Sequence, residues 1–180
     1  MIRIEPITSR SPSNILDQAR ALFRAYGEFL RISGGHALFC FSRLEEEISD
    51  LPAAYTENKG EVLLATAGSL AAGCIAYRSL GSSAHPNSCE IKRLFVSPSF
   101  RGQGLGKRLI TVALDRAQLN GYRTACLDTE PRSMAGAKQI YLDLGFVEDK
   151  ERSSKSEGDI VIFLKKTLEP ELATLPDSSI

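Results

Sequence analysis

Apolar and polar positions alternate over Ile2–Ile7 and predict a first strand. The period then lengthens. Ile15, Ala19, Leu22, Phe23, Tyr26 and Phe29 recur at helical spacing behind the turn Pro12-Ser13-Asn14, which also predicts the helix cap, and Ser33-Gly34-Gly35 ends the helix. Ser42-Arg43-Leu44-Glu45 has the capping-box pattern and predicts a second, short helix that closes near Pro52. Glu61–Ala67 and Leu70–Tyr77 read as short apolar strands joined by the hairpin signal Gly68-Ser69. A polar loop over Gly81–Ser88 leads into a strand at Cys89–Val96, and a glycine-rich loop follows it. Leu105, Leu109, Val112, Ala113 and Ala117 then mark a long helix that stops at Asn120-Gly121. Thr124–Asp128 reads as a strand. Ser133 predicts the cap of a helix through Ala137, Ile140, Tyr141 and Leu144, which Gly145 terminates. Phe146-Val147 opens a strand, and Ile160–Lys165 is the last.

This order is β-α-α-β-β-β-α-β-α-β-β. Strand, helix, strand between residues 89 and 128 is a crossover unit, which predicts that its two strands run parallel, while the hairpins on either side predict antiparallel neighbours. The expected class is therefore α/β with a mixed, mostly antiparallel sheet flanked by helices. Its length of 180 residues suits one domain, placed at residues 1–168. Residues 169–180 are polar, hold two prolines and show no periodicity, so a loose tail is expected there.

Composition narrows the chemistry. Apolar residues make up 43 % of the chain, enough to offset the entropy of ordering it. Lysine plus arginine and aspartate plus glutamate both number 22, so no overall charge draws the chain to nucleic acid or to an anionic membrane. No apolar run reaches the length of a membrane span, and the N-terminus lacks the apolar core of a secretory signal; a cytoplasmic protein is expected. Cys40, Cys74, Cys89 and Cys126 fit neither a zinc spacing nor a redox pair, and buried reduced thiols are expected, with no metal. An anionic ligand would have to be held by a local site.

Arg101-Gly102-Gln103-Gly104-Leu105-Gly106, between a strand and a long helix, offers one. Its glycines let backbone approach a ligand closely, and the first turn of the helix carries unpaired N–H groups and the positive end of the macrodipole. Arg101, Lys107 and Arg108 add formal charge. The ATP-type loop G-x-x-x-x-G-K-S/T is excluded, because Gly102 to Gly106 falls one residue short before Lys107 and Arg108 replaces the hydroxyl. The dinucleotide fingerprint G-x-G-x-x-G is excluded too, because its last glycine would fall on Lys107 or Leu109.

The pattern Q/R-x-x-G-x-G/A fits at Arg101, Gly104 and Gly106. With the strand Glu90–Val96 directly before it, and with Ala137-Lys138-Gln139-Ile140-Tyr141-Leu142-Asp143-Leu144-Gly145-Phe146 after it, the chain resembles the GNAT superfamily of N-acetyltransferases. The resemblance implies a parallel strand pair that splays apart, Cys89–Val96 from Thr124–Asp128, with the pantetheine arm of acetyl-CoA entering the gap. It implies backbone partners for that arm at Leu94, Phe95 and Val96. It also implies a pyrophosphate cradle over Arg101, Gly102, Gln103, Gly104, Leu105, Gly106 and Lys107. An alkyl ammonium near pKa 10.4 costs about 4–5 kcal/mol to deprotonate at pH 7. By resemblance, Glu90, eleven residues before Arg101, assists that step, and Tyr141 protonates the departing thiolate. Where the family often has asparagine, seven residues before Tyr141, this chain has Met134.

The reaction implied is transfer of acetyl from acetyl-CoA to a primary amine by direct attack in a ternary complex. A CoA-binding sensor without turnover and an acetyltransferase of protein N-termini or lysines are the alternatives. The acceptor region implied is Ile15–Pro52 with Gly81–Ser88. It holds Arg20, Arg24, Arg31, Arg43, His36 and His85, and Arg31 or Arg43 is a candidate for an acceptor carboxylate. The sequence leaves the acceptor undefined and a homodimer open.

Overall fold

The computed structural model describes residues 1–33, 43–81, 85–130, 135–153 and 161–168. They form β1 (Ile2–Ile7), α1 (Ser13–Ile32), α2 (Leu44–Ser49), α3 (Ala53–Thr56), β2 (Glu61–Ala67), β3 (Leu70–Ser79), β4 (Ser88–Val96), a 3-10 turn (Pro98–Phe100), α4 (Leu105–Leu119), β5 (Thr124–Thr129), α5 (Ala135–Asp143), β6 (Val147–Glu148), α6 (Lys150–Ser153) and β7 (Ile162–Thr167). The seven strands make one sheet in the order β1-β2-β3-β4-β5-β7-β6, with β4 and β5 its parallel pair. The expected mixed sheet is present, with the crossover where the strand-helix-strand pattern put it.

Several details differ. α1 begins behind Pro12, whose carbonyl receives the Ile15 and Leu16 N–H groups, and no side chain caps it. The cap thus falls on Pro12, the first residue of the predicted Pro12-Ser13-Asn14 turn, whose fixed φ leads into the helix. α2 begins at Leu44 with Arg43 at its cap, one residue later than the capping box requires; Ser42 lies outside the described residues. α3 and α6, four residues each, are too short to show a period. β7 lies two residues further along than its apolar pattern suggested, because its register is set by pairing with β5. The predicted cap at Ser133 and the tail at 169–180 also fall outside the described residues.

The sheet separates two cores. α4 and α5 cover one face with Leu63, Ile75, Tyr77, Ile91, Leu109, Ile110 and Tyr141 among its buried residues. α1 to α3 cover the other with Phe23, Ile48, Tyr55, Val62, Cys74 and Phe95. No helix among the described residues is long and apolar enough to cross a membrane, and no group of three or more His, Cys, Asp or Glu among them could hold a metal ion.

One irregularity positions the site. In the β3–β4 pairing, Cys74 faces Phe95 and Ala76 faces Lys92, so Arg93 and Leu94 together stand opposite Ile75. This is a β-bulge, with Arg93 in the left-handed region at φ 59°. The extra residue reverses the alternation of β4. Cys89 and Ile91 before it and Leu94 and Val96 after it share the α4 face, while Phe95 joins the α1 core.

Candidate active site

β4 and β5 pair over three positions only: Ser88 with Thr124, Cys89 with Ala125 and Glu90 with Cys126. From there β5 stays with β7, to which Leu127 through Thr129 are hydrogen-bonded. β4 bends away at its bulge, so backbone groups of its second half lack a strand neighbour on that side. The opening between them is narrow, about 40 Å³, and is lined by Tyr26, Ile91, Lys92, Arg93, Leu94, Asp128, Thr129 and Tyr141.

Leu94 also lines a second, larger cavity of about 590 Å³ at the start of α4. Its wall takes in Phe95, Val96, Arg101, Gly102, Gly104, Leu105, Gly106 and Lys107, with Phe29 and Ile140 opposite. Nine of the ten residues predicted to bind the cofactor therefore meet at one cavity. Gln103 does not line it, and its amide reaches back to the Ser99 carbonyl at 3.4 Å. Gly102 and Gly104 have φ of 75° and 73°, which glycine adopts without penalty. The ladder of α4 starts with the Arg108 N–H donating to the Gly104 carbonyl at 3.2 Å, which leaves the amides of the first turn to a ligand. A Cβ on Gly106 would make ordinary contacts, 3.6 Å to Ile140 and 3.9 Å to Val96.

Arg101 folds over the Phe29 and Phe95 rings, at 5.2 and 5.6 Å, and its Nε donates to the Val96 carbonyl at 3.0 Å. It thus fixes the end of β4 against α1. Arg108 donates to the Ile2 carbonyl at 3.1 Å, away from the cavity.

Tyr141 lies in the gap, 6 % exposed, edge-on to Phe146 at 5.5 Å. Burial, with Tyr26 and Asp128 adding to it, pushes its phenol up, so it keeps its proton at neutral pH. Glu90 is placed differently. It lies on β4 before the bulge, with Lys92 Nζ at 3.2 Å and Arg78 Nε at 3.8 Å from the same carboxylate oxygen, and it does not line the gap. The geometry puts Tyr141 in the strand opening and the glycine loop around the cavity that shares Leu94 with it, and leaves Glu90 beside the opening, held by two cations.

Four residues of this region carry no signal that the sequence motifs single out. Glu47 is buried under β3 and β4; its carboxylate accepts from Tyr55 at 2.8 Å and meets Arg93 at 2.9 Å and Arg78 at 3.3 Å. Burial works against the Arg93 charge, but Tyr55 and Glu47 outweigh it and raise its pKa. Lys92 and Asp128 bring opposite charges to the gap, and Thr129, 3 % exposed, holds a buried hydroxyl with no partner among the described residues. The usable sequence signal was position: Asp128 and Thr129 end a parallel strand, where ligand sites of α/β sheets gather.

Each of the predicted acceptor arginines lies near a carboxylate of the helical region. Arg31 pairs with Glu28 at 2.6 Å, Arg43 lies 3.9 Å from Glu46, Arg24 lies 4.0 Å from Glu45, and Arg20 binds Asp17 and the Ile48 carbonyl. His85 is exposed; His36 and Met134 lie outside the described residues.

A sheet split at its parallel pair, with a glycine-led helix at the mouth of the split, defines an acyl-CoA N-acyltransferase fold. The chain matches the family described as acetyltransferase (GNAT) domain over residues 58–148, and it belongs to that family. It is similar to an uncharacterized N-acetyltransferase of Dictyostelium discoideum, 25 % identical over 85 % of this chain and 94 % of the other. Among solved structures it superposes on the yncA protein of Salmonella typhimurium with its cofactor acetyl-CoA, with TM-score 0.71, 14 % identity and 99 % of each chain covered. It also superposes on the paia N-acetyltransferase of Thermoplasma acidophilum in complex with coenzyme A. There the TM-score is 0.69 and the identity 16 %, over 93 % of this chain and 99 % of the other.

Proposed function

We propose that this protein transfers acetyl from acetyl-CoA to a primary amine within a ternary complex. The observation that carries the reading is the gap that opens after Glu90 and Cys126, which shares Leu94 as a wall residue with the cavity at the start of α4. Pantetheine lies along β4 between Leu94 and Val96. The diphosphate lies on the amides at the start of α4, with Lys107 beside it. Solved structures of the same fold hold acetyl-CoA or coenzyme A, which supports acetyl-CoA as the donor. The acceptor enters from the α1 side, where Tyr26 and Lys92 reach the gap.

The amine lone pair attacks the thioester carbonyl. A backbone N–H near Phe95 or Val96 meets the oxyanion. The C–S bond breaks, and Tyr141 gives its proton to the thiolate. The first ammonium proton leaves before attack toward the carboxylates beside the gap, with Glu90 reached through water, and the second, lost from nitrogen after attack, restores the Tyr141 phenol. A buried phenol in the gap favours turnover over a CoA sensor, which would have no use for a proton donor there.

Two measurements test this. Calorimetry should find saturable binding of CoA and acetyl-CoA; a protein that ignores both at millimolar concentration is not an acetyltransferase. Tyr141→Phe should lower kcat by about 10²-fold or more while leaving the KM for acetyl-CoA nearly unchanged, the pattern of a group needed in the transition state. Unchanged turnover in that variant would remove Tyr141 from the chemistry.

A further inference from the structure

We infer that the acceptor is an amino acid or a close analogue: a primary amine with a carboxylate close to it. This rests on the acetyl-transfer reading and comes from the charges that flank the gap. On the β4 side, Arg78, Lys92 and Arg93 are joined by ion pairs to two carboxylates, Glu47 and Glu90. Both oxygens of Glu47 are taken, one by Arg78 and the other by Arg93 and Tyr55. A single oxygen of Glu90 faces both Arg78 and Lys92. Three cations therefore share two carboxylates, and Lys92, the member with three freely rotating donors, lines the gap.

On the β5 side stands Asp128. It is exposed, lines the same gap and has no lysine or arginine within 4.0 Å among the described residues. Among the described residues, the two strands thus present an excess cation and a carboxylate without a cationic partner at one opening. A simple amine answers only Asp128. A zwitterion answers both: its carboxylate meets Lys92, its ammonium meets Asp128, and its nitrogen is left between the strands beside Tyr141. The buried Thr129 hydroxyl on the same wall, without a partner among the described residues, is a separate sign that a polar ligand fills this space. Asp128 then binds the ammonium and takes its first proton, freeing the lone pair; as nitrogen attacks and the C–S bond breaks, Tyr141 protonates the sulfur and is restored by the second proton that nitrogen loses.

The test is thiol release from acetyl-CoA with a panel of amino acids, each beside its decarboxylated amine and its carboxamide. The acid should exceed both partners in kcat/KM by at least about tenfold, the worth of one charge-assisted hydrogen bond. Lys92→Met should bring acid and amine within about twofold of each other, Lys92→Arg should retain the preference, and calorimetry should find CoA affinity unchanged in both. Decarboxylated amines turned over as well as the acids, or a preference that survives Lys92→Met, would overturn the inference and leave acetyl transfer standing. Binding of CoA with no thiol release on the panel, on polyamines, on aminoglycosides or on peptides would overturn both.

Discussion

Burial turns Tyr141 into a group that holds its proton yet sits where a thiolate would be released. The same physics silences Cys74 and Cys89. Burial pushes the Cys74 thiol up to about 12, and burial with Cys126 beside it pushes Cys89 up to about 12 as well. At pH 8 a thiol with such a pKa is about 10⁻⁴ ionised, and the thiolate is the reactive species. Cys74 and Cys89 should therefore stay unlabelled by a disulfide reagent at pH 8 in the native protein and react fully in denaturant, as read by peptide mapping. Rapid native labelling of Cys89 would mean that the parallel pairing at Ser88–Glu90 is not formed. It would also favour a covalent route through an acylated thiol, which the burial of these two side chains opposes.

At the element scale, the loop into α4 uses its glycines unequally. Gly104 caps the helix in the left-handed region, where an added Cβ costs roughly 1–2 kcal/mol, whereas Gly106 has ordinary helical backbone and room for a methyl. Gly104→Ala should lower both stability and CoA affinity; Gly106→Ala should leave the melting temperature nearly unchanged. Denaturation and calorimetry of the pair check this, and equal losses would contradict the loop geometry. The different demands are already in the motif, which admits alanine at the second position and not at the first. β1 and β2 were legible to the residue because alternation and a hairpin turn are local signals. The bulge at Arg93 was not, because β4 shows it only against β3. For the same reason the gap's charged walls were not legible. Glu90 looked like the base by its offset in the chain, but its partners Arg78 and Lys92 are set by the sheet, and Asp128 gains its place opposite Lys92 only where two strands part.

Over the whole molecule, the sheet's two faces are held to their helices by ion pairs from distant parts of the chain. Glu47 ties α2 to β3 and β4 on one side. On the other, Arg116 of α4 donates through Nε and, at 2.8 Å, through a terminal nitrogen to the two oxygens of Glu61 in β2. Partial burial raises the Glu61 pKa, but hydrogen bonds and attraction from Arg116, with Tyr77 and Asn120, outweigh it and hold it below the ordinary glutamate value. The sign follows from linkage. A carboxyl that titrates lower when folded than when unfolded contributes its full stability above the unfolded value, and loses it as pH falls through the folded one. After discounting for solvent on a half-exposed pair, Glu61→Gln should cost about 1 kcal/mol at neutral pH. The difference from the native protein should hold down to roughly pH 5 and shrink steadily below about pH 4.5. Urea unfolding of both proteins across that range measures it. A difference that stays constant into acid would show that the glutamine is felt as a packing change and that the charge on Glu61 does nothing to clamp α4, and with it the glycine loop, onto the sheet.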